Sequence, residues 1–172
     1  MSLKQINIPN SVSSIGEYAF YRNELLEYII FPMHLKEISK GMCKWCYRLS
    51  YVKLYEDLSH IGDEAFDGCH SLETIELPQS LQSIGNRAFS GCNRIKSFSI
   101  PENVLTIGND AFSDCSSLEK VYFDAIPKEI GHFPFIYCKS LSSIYIPNGS
   151  FDQFAKMLPN YIDILVEIGE YN

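Results

Sequence analysis

No stretch of this chain approaches the ~20 consecutive apolar residues that a membrane-crossing helix needs, and no charged start leads into the shorter apolar run of a secretory leader. Direct insertion into a membrane is therefore not expected. Positive charge is scarce: 14 Lys and Arg stand against 21 Asp and Glu, a formal net charge of −7. Nucleic-acid binding needs clustered cations facing phosphates, so that class of partner is excluded. The glycines never gather as G-x-G-x-x-G, and no G-x-S-x-G elbow occurs, which leaves neither a phosphate cradle nor an activated serine. Histidine is sparse. His34, His60, His70 and His132 fall at variable, solvent-facing positions with no fixed carboxylate or cysteine partner by spacing. The expectation is a non-enzymatic chain with no catalytic residues, cofactor or metal.

What the sequence has in abundance is repetition. Pro9, Pro32, Pro78, Pro101 and Pro147 sit on a 23-residue grid, with Tyr55 and Asp124 at its two other points. Ile15, Ile38, Ile61, Ile84, Ile107 and Ile130 form an unbroken second column. Gly16, Gly62, Gly85, Gly108 and Gly131 form a third, with Ser39 as its exception. Phe20, Phe66, Phe89, Phe112 and Phe135 form a fourth, in which Cys43 substitutes. The spacing holds from Pro9 to Pro147 without insertion or deletion, so the chain is a repeat array in which each unit packs on its neighbours.

Each column has a physical reading. Leu72-x-x-Ile75-x-Leu77 alternates as a half-buried strand, Ile75 and Leu77 inward and Thr74 and Glu76 outward. Seven such strands, one per unit at ~4.8 Å spacing, predict one sheet about 30 Å long. Pro78 ends the strand because it lacks an N–H for the ladder. Gly85 suits a tight corner where a side chain or a negative φ is awkward. Asp63–Gly68 reads as one helical turn that plugs the core with Ala65 and Phe66.

Past Pro147 the pattern changes. Ser150 and Gln153 have capping-box spacing, and Phe151, Phe154, Ala155 and Leu158 share one helix face. Pro159-Asn160 breaks the helix, and Ile162, Ile164, Val166 and Ile168 alternate like a closing strand. Asn148-Gly149-Ser150 is an N-x-S sequon whose position favours a turn and cap. The N-terminal side shows only Ile6 and Ile8 of a partial unit and no evident cap. Either a cytoplasmic protein or a piece of a longer, secreted one fits that start.

The phrase Ile100-Pro101, Val104, Ile107-Gly108, Ala111-Phe112, Cys115 and Leu118 resembles the BspA-like (Treponema pallidum-type) leucine-rich repeat family, over roughly residues 6–148. The resemblance implies an α/β repeat solenoid, a leucine-rich-repeat horseshoe or right-handed coil. Short parallel β-strands would dominate it, with a one-turn helical or 3-10 segment in each 23-residue unit. Residues 1–172 would form a single domain, with repeats over 6–149 and a helix–strand cap over 150–172. Family members are mostly surface or secreted proteins of host-associated bacteria and some protists, and are associated with adhesion. That implies a protein or glycan ligand, host-derived in many members, and a cell-surface or secreted location. Two units depart from the pattern. The second has Ser39, Met42 and Cys43 in the Gly, Ala and Phe columns, and the sixth has Asp124, Pro127 and Pro134 in the Pro, Val and Ala columns.

Cys46, Cys69, Cys92, Cys115 and Cys138 form one column headed by Asn23. Buried structural thiols are the favoured reading, although the spacing between coils also tolerates a disulfide. In leucine-rich repeats this column commonly satisfies backbone groups at the turn. Cys43 and Cys46 form the one C-x-x-C, but Cys43 belongs to the Phe column and points inward, and no second pair completes a zinc set.

Function is expected where the scaffold imposes nothing, on the outward strand positions. One column runs Tyr28, Tyr51, Thr74, Ser97, Lys120, Ser143, and the next runs Ile30, Lys53, Glu76, Ser99, Tyr122, Tyr145. Tyr28, Ile30, Tyr51, Lys53, Thr74, Glu76, Lys120, Tyr122 and Tyr145 are the candidate ligand-binding residues of a concave face. Tyrosine buries area at low entropy cost and keeps a polar tip, although cross-strand tyrosines also simply stabilise sheets. Trp45, Tyr47, Phe133, Ile136 and Tyr137, in the two irregular units, form a second candidate: a sticky patch or local repacking. The alternative to a surface role is an intracellular scaffold or assembly module.

Overall fold

The computed structural model describes residues 4–169. The first three and last three residues of the 1–172 unit expected from sequence lie outside them. Each coil contributes a strand, a turn, a second and shorter strand, and a run of tight turns that returns to the next coil. The strands in chain order are β1 (Gln5–Asn7), β2 (Tyr28–Ile30), β3 (Glu37–Ile38), β4 (Tyr51–Lys53), β5 (His60–Ile61) and β6 (Ser83–Ile84). They continue as β7 (Ser97–Ile100), β8 (Thr106–Ile107), β9 (Lys120–Phe123), β10 (Glu129–Ile130) and β11 (Ser143–Pro147). The C-terminal end adds a helix, α1 (Phe151–Met157), a 3-10 segment (Pro159–Ile164) and β12 (Leu165–Ile168).

All pairing is parallel, as stacking of like coils demands, and the register steps by 23 residues: Tyr28 faces Tyr51 and Ser97 faces Lys120. The chain is a parallel β-solenoid. The single seven-stranded sheet expected from the pattern is instead two faces. One carries β1-β2-β4 and, farther along, β7-β9-β11-β12; the other carries β3-β5-β6-β8-β10. On the first face the ladder is broken at the third coil. The Leu72–Leu77 segment expected to be a strand is reduced to one bridge between Tyr51 and Thr74, and Ile75 and Leu77 are only partly buried.

The expected helical turn does not form either. Along Asp63–Gly68, Glu64, Phe66 and Gly68 each donate their N–H to the next coil, to the carbonyls of Asn86, Ala88 and Ser90 (2.8 Å each). Intervening residues close i→i+3 turns, as Asp67 does on Glu64 (3.1 Å). Glu64 (φ 56°) and Gly68 (φ 76°) are left-handed, which no α-helix tolerates. Every second N–H can then point along the stack, and the third face is held by its own ladder of bonds between coils.

The core lies inside these three faces. Phe66, Phe89, Phe112 and Phe135 stack as one column, neighbouring centroids 5.4–5.6 Å apart, and Phe98 packs against Phe89 and Phe112. The irregular second coil fills the same space with fully buried Met42 and Cys43. Ser39, in the glycine column, donates its hydroxyl to the Ile15 carbonyl (2.8 Å). In the sixth coil Pro134 forgoes only the long i→i+3 bond that Ala65 and Ala88 make at 3.3 and 3.4 Å.

The glycine column is explained by proximity, not by φ. A Cβ on Gly85 would lie 2.5 Å from the Asp63 nitrogen, and one on Gly108 or Gly131 equally close to the preceding coil. The left-handed glycines are others, among them Gly41, Gly68 and Gly91.

At the C-terminal end Phe154 and Leu158 are buried, while Phe151 faces solvent. Ser150 makes no side-chain cap to α1, and its hydroxyl instead donates to the Pro147 carbonyl. The cap comes from Glu167 on β12, whose carboxylate accepts the Phe151 N–H (3.0 Å). The closing strand is shorter than the isoleucine alternation predicts. Ile162 and Ile164 fall in the 3-10 segment, and Leu165 takes the register opposite Ile144 while Val166 faces out beside Tyr145.

Candidate functional site

The cysteine column is structural. Cys46, Cys69, Cys92, Cys115 and Cys138 donate their thiols to the carbonyls of Phe20, Cys43, Phe66, Phe89 and Phe112, each 26 residues back, with Sγ···O distances of 3.0–3.5 Å. All six cysteines are free thiols. Burial pushes the Cys69 and Cys92 thiols well up, so they stay protonated. Hydrogen bonding from Cys115 pulls the half-buried Cys138 the other way.

Of the outward residues on the first face, Tyr28 (46% exposed) and Tyr51 (43%) lie side by side in the β2–β4 register with Thr74 next, and Ile30 is exposed beside them. Three coils on, about 14 Å away at the spacing of stacked strands, Tyr122 and Tyr145 stack face to face. Their centroids are 4.7 Å apart and their planes 7° from parallel. Val166 of β12 extends that row and Lys120 flanks it. The nine candidate residues thus form two aromatic groups on one face, divided at the interrupted coil. At that gap the half-buried Lys53 ammonium reaches across to Glu76 (3.4 Å) and lies 5.9 Å from the centre of the Tyr55 ring, so it is already partnered.

The second candidate cluster separates. Trp45 packs on Tyr21 (5.4 Å) between the cations of Arg22 and Lys44, and Tyr47 stacks on His70 (5.2 Å, 14°). Phe133 and Tyr137 stand exposed four coils away, over an apolar pocket of about 380 Å³ shared with Ile136 and Tyr161. The rings of the two coils do not touch, although Trp45, Tyr47 and Tyr137 line one trough on the turn face.

Two features escape the sequence pattern. The second face carries a groove of about 600 Å³ along Glu37, His60, Ser83, Thr106 and Glu129. The turn face holds a charge cluster around the buried Asp67: Lys44 meets Glu64 (2.6 Å) and Asp67 (3.1 Å), and the exposed Arg87 approaches Asp67 (3.4 Å). Burial works against the Lys44 charge, but hydrogen bonds to Glu64 and Asp67 outweigh it and hold its pKa above the usual lysine value. These pairs are visible only once residues 20 or 23 apart are known to touch. The same holds for His34, which has a partner after all: Asp57, 23 residues on, at 3.0 Å. His34 and then Lys36 keep the Asp57 carboxyl below its ordinary range.

The family model for the BspA type leucine rich repeat region matches in six copies, over residues 1–92 and 36–158. The chain belongs to this family. A leucine-rich repeat protein from Bacteroides ovatus ATCC 8483 is 34% identical with a TM-score of 0.75, over 82% of this chain and 39% of its own. A leucine rich cell surface protein from Faecalibacterium prausnitzii A2-165 is 26% identical with a TM-score of 0.71, over 91% of this chain and 51% of its own. The T. pallidum leucine rich repeat protein, at 24% identity, shares the fold (TM-score 0.74) over 91% of this chain and 84% of its own. The chain thus spans about two fifths of the Bacteroides protein and half of the Faecalibacterium one. No curated protein matches it. Among the described residues no helix is long and apolar enough to cross a membrane.

Proposed function

We propose that this chain is a non-enzymatic adhesion-type module that binds a protein ligand across the face carrying Tyr28, Ile30, Tyr51, Lys120, Tyr122 and Tyr145. The observation that carries this reading is the Tyr122–Tyr145 pair, two rings stacked within 7° and held in register by paired strands. Such rings are ordered before any partner arrives, so docking on them costs little side-chain entropy. Thr74, Lys53 and Glu76 lie between the two aromatic groups and give the face a polar centre. The family membership and the cell-surface relative support a surface location and a ligand from outside the cell.

The test is alanine substitution at Tyr28, Tyr51, Tyr122 and Tyr145 together. A partner captured from extracellular-matrix proteins should lose at least tenfold in affinity while circular dichroism shows the solenoid still folded, its melting point lowered only by the lost tyrosine stack. Undiminished binding would move the site off this face.

A further inference from the structure

Two columns of left-handed residues run along the turn face of the solenoid, and the second reads Arg22, Trp45, Gly68, Gly91, Asp114, Tyr137. Where Gly68 and Gly91 stand, the surface drops into a trough of about 610 Å³. The Trp45 indole closes one end: a Cβ on Gly68 would lie 2.6 Å from its Cδ1 and 3.4 Å from its Nε1. Tyr137, 64% exposed, stands at the other end. Arg87 and Asp67 line one side. The other is a rail of linked polar groups, with His70 and Asn93 3.3 Å apart and Ser116 donating to Asn93 (3.4 Å).

We propose that this trough binds a neutral glycan, seating about two sugar rings. Its lining balances charge, Arg87 and Lys139 against Asp67 and Asp114, which disfavours an anionic ligand. Along the column of left-handed residues that floors it, no N–H from Trp45 to Gly91 is free for an extended peptide. The N–H groups of Trp45, Gly68 and Gly91 are all spent on the next coil, to Asp67, Ser90 and Ser113 (2.7–2.8 Å). What remains is planar amide, guanidinium, carboxylate and hydroxyl groups beside an exposed aromatic ring. Sugar hydroxyls both donate and accept, and a sugar's C–H face packs on an aromatic ring. From Gly68, which the Trp45 indole overlies, to Tyr137 is three coil steps, about 14 Å, which suits two sugar rings and not a long chain. The site is independent of the tyrosine face.

Trp45 is the chain's one tryptophan, so its emission reports on the trough without a label. Titration of the full chain with maltose, cellobiose, lactose or N,N′-diacetylchitobiose should shift or quench that emission with at least one sugar, at a Kd of about 1 mM. Gly91→Asn should weaken that binding at least tenfold. Asparagine tolerates the left-handed backbone, and a Cβ there meets only ordinary contacts at 3.6 Å, so the variant fills the trough without breaking the coil. Tyr137→Ala, at an exposed position, is the second variant and should weaken binding in the same direction. Alanine at Tyr28 and Tyr51 should leave it unchanged. Silence with all four sugars, or wild-type affinity in both trough variants, overturns the proposal.

Discussion

The rings of Phe89 and Phe112 lie 5.6 Å apart and within 2° of parallel, each fully buried, with Phe66 and Phe135 continuing the stack on either side. A solenoid has no core other than such columns, because each coil covers its neighbour's apolar side. Phe89→Ala leaves a void with stacked partners on both sides and Phe98 against its edge. It should cost roughly 3–5 kcal/mol in urea unfolding. A loss below about 1 kcal/mol would mean that neighbouring coils close the gap, contrary to a close-packed interior that relaxes only in part.

The glycine column makes a contrast within one sequence motif. Gly85→Ala forces a Cβ to within 2.5 Å of the Asp63 backbone nitrogen, and should destabilise by about 1–3 kcal/mol or more through displaced coils. Gly16→Ala, in the same column but with nothing within 4 Å, should be neutral or stabilise by up to about 1 kcal/mol. Equal effects at the two positions in paired thermal melts would refute the close-approach explanation.

Which parts were legible follows from what a single coil knows about itself. The Phe, Ile and Cys columns were, because burial demands the same residue type in each coil and the 23-residue spacing exposes it. For the glycines the sequence leaves two grounds open, a turn at positive φ and a lack of room for a side chain, since both select the same residue; only the second holds at Gly85. A helical turn at Asp63–Gly68 is what the sequence predicts, because Ala65 and Phe66 satisfy a helix's inward face equally well. Only the inter-coil bonds from Glu64, Phe66 and Gly68 reveal the alternative. Lys44–Asp67 and His34–Asp57 were hidden for a related reason: neither pair repeats, so no column announces it. The outward tyrosines were placed on one face, but the break at Thr74–Leu77 that divides them has no counterpart in the pattern.

The thiol column predicts an alkaline limit to stability. Burial raises the folded-state pKa of Cys69 and Cys92 well above the ordinary 9.0. Below that ordinary value both folded and unfolded chains hold the proton, and the thiols' contribution is fully present. As pH rises past it the unfolded chain loses protons that the folded chain keeps, so stability falls, by at most about 1.4 kcal/mol per pH unit for each thiol. The melting temperature should therefore decline between roughly pH 9 and 11. Cys92→Ala, though less stable at neutral pH, should show a shallower decline; an identical slope would exclude this thiol as a cause.

Left-handed backbone at a non-glycine residue carries a cost that substitution can read out. Phe133 holds φ 52° and is 52% exposed, in the same column as Gly41, Glu64, Arg87 and Asp110. An L side chain there costs about 1–2 kcal/mol relative to glycine, because its Cβ crowds the following carbonyl. Alanine removes the ring but keeps that Cβ, whereas glycine removes both. Phe133→Gly should thus be more stable than Phe133→Ala by about 1 kcal/mol, reversing the usual order of the two residues. Comparison of their denaturation midpoints decides it. If alanine proves the more stable, the left-handed column is not a conformation this coil is made to hold.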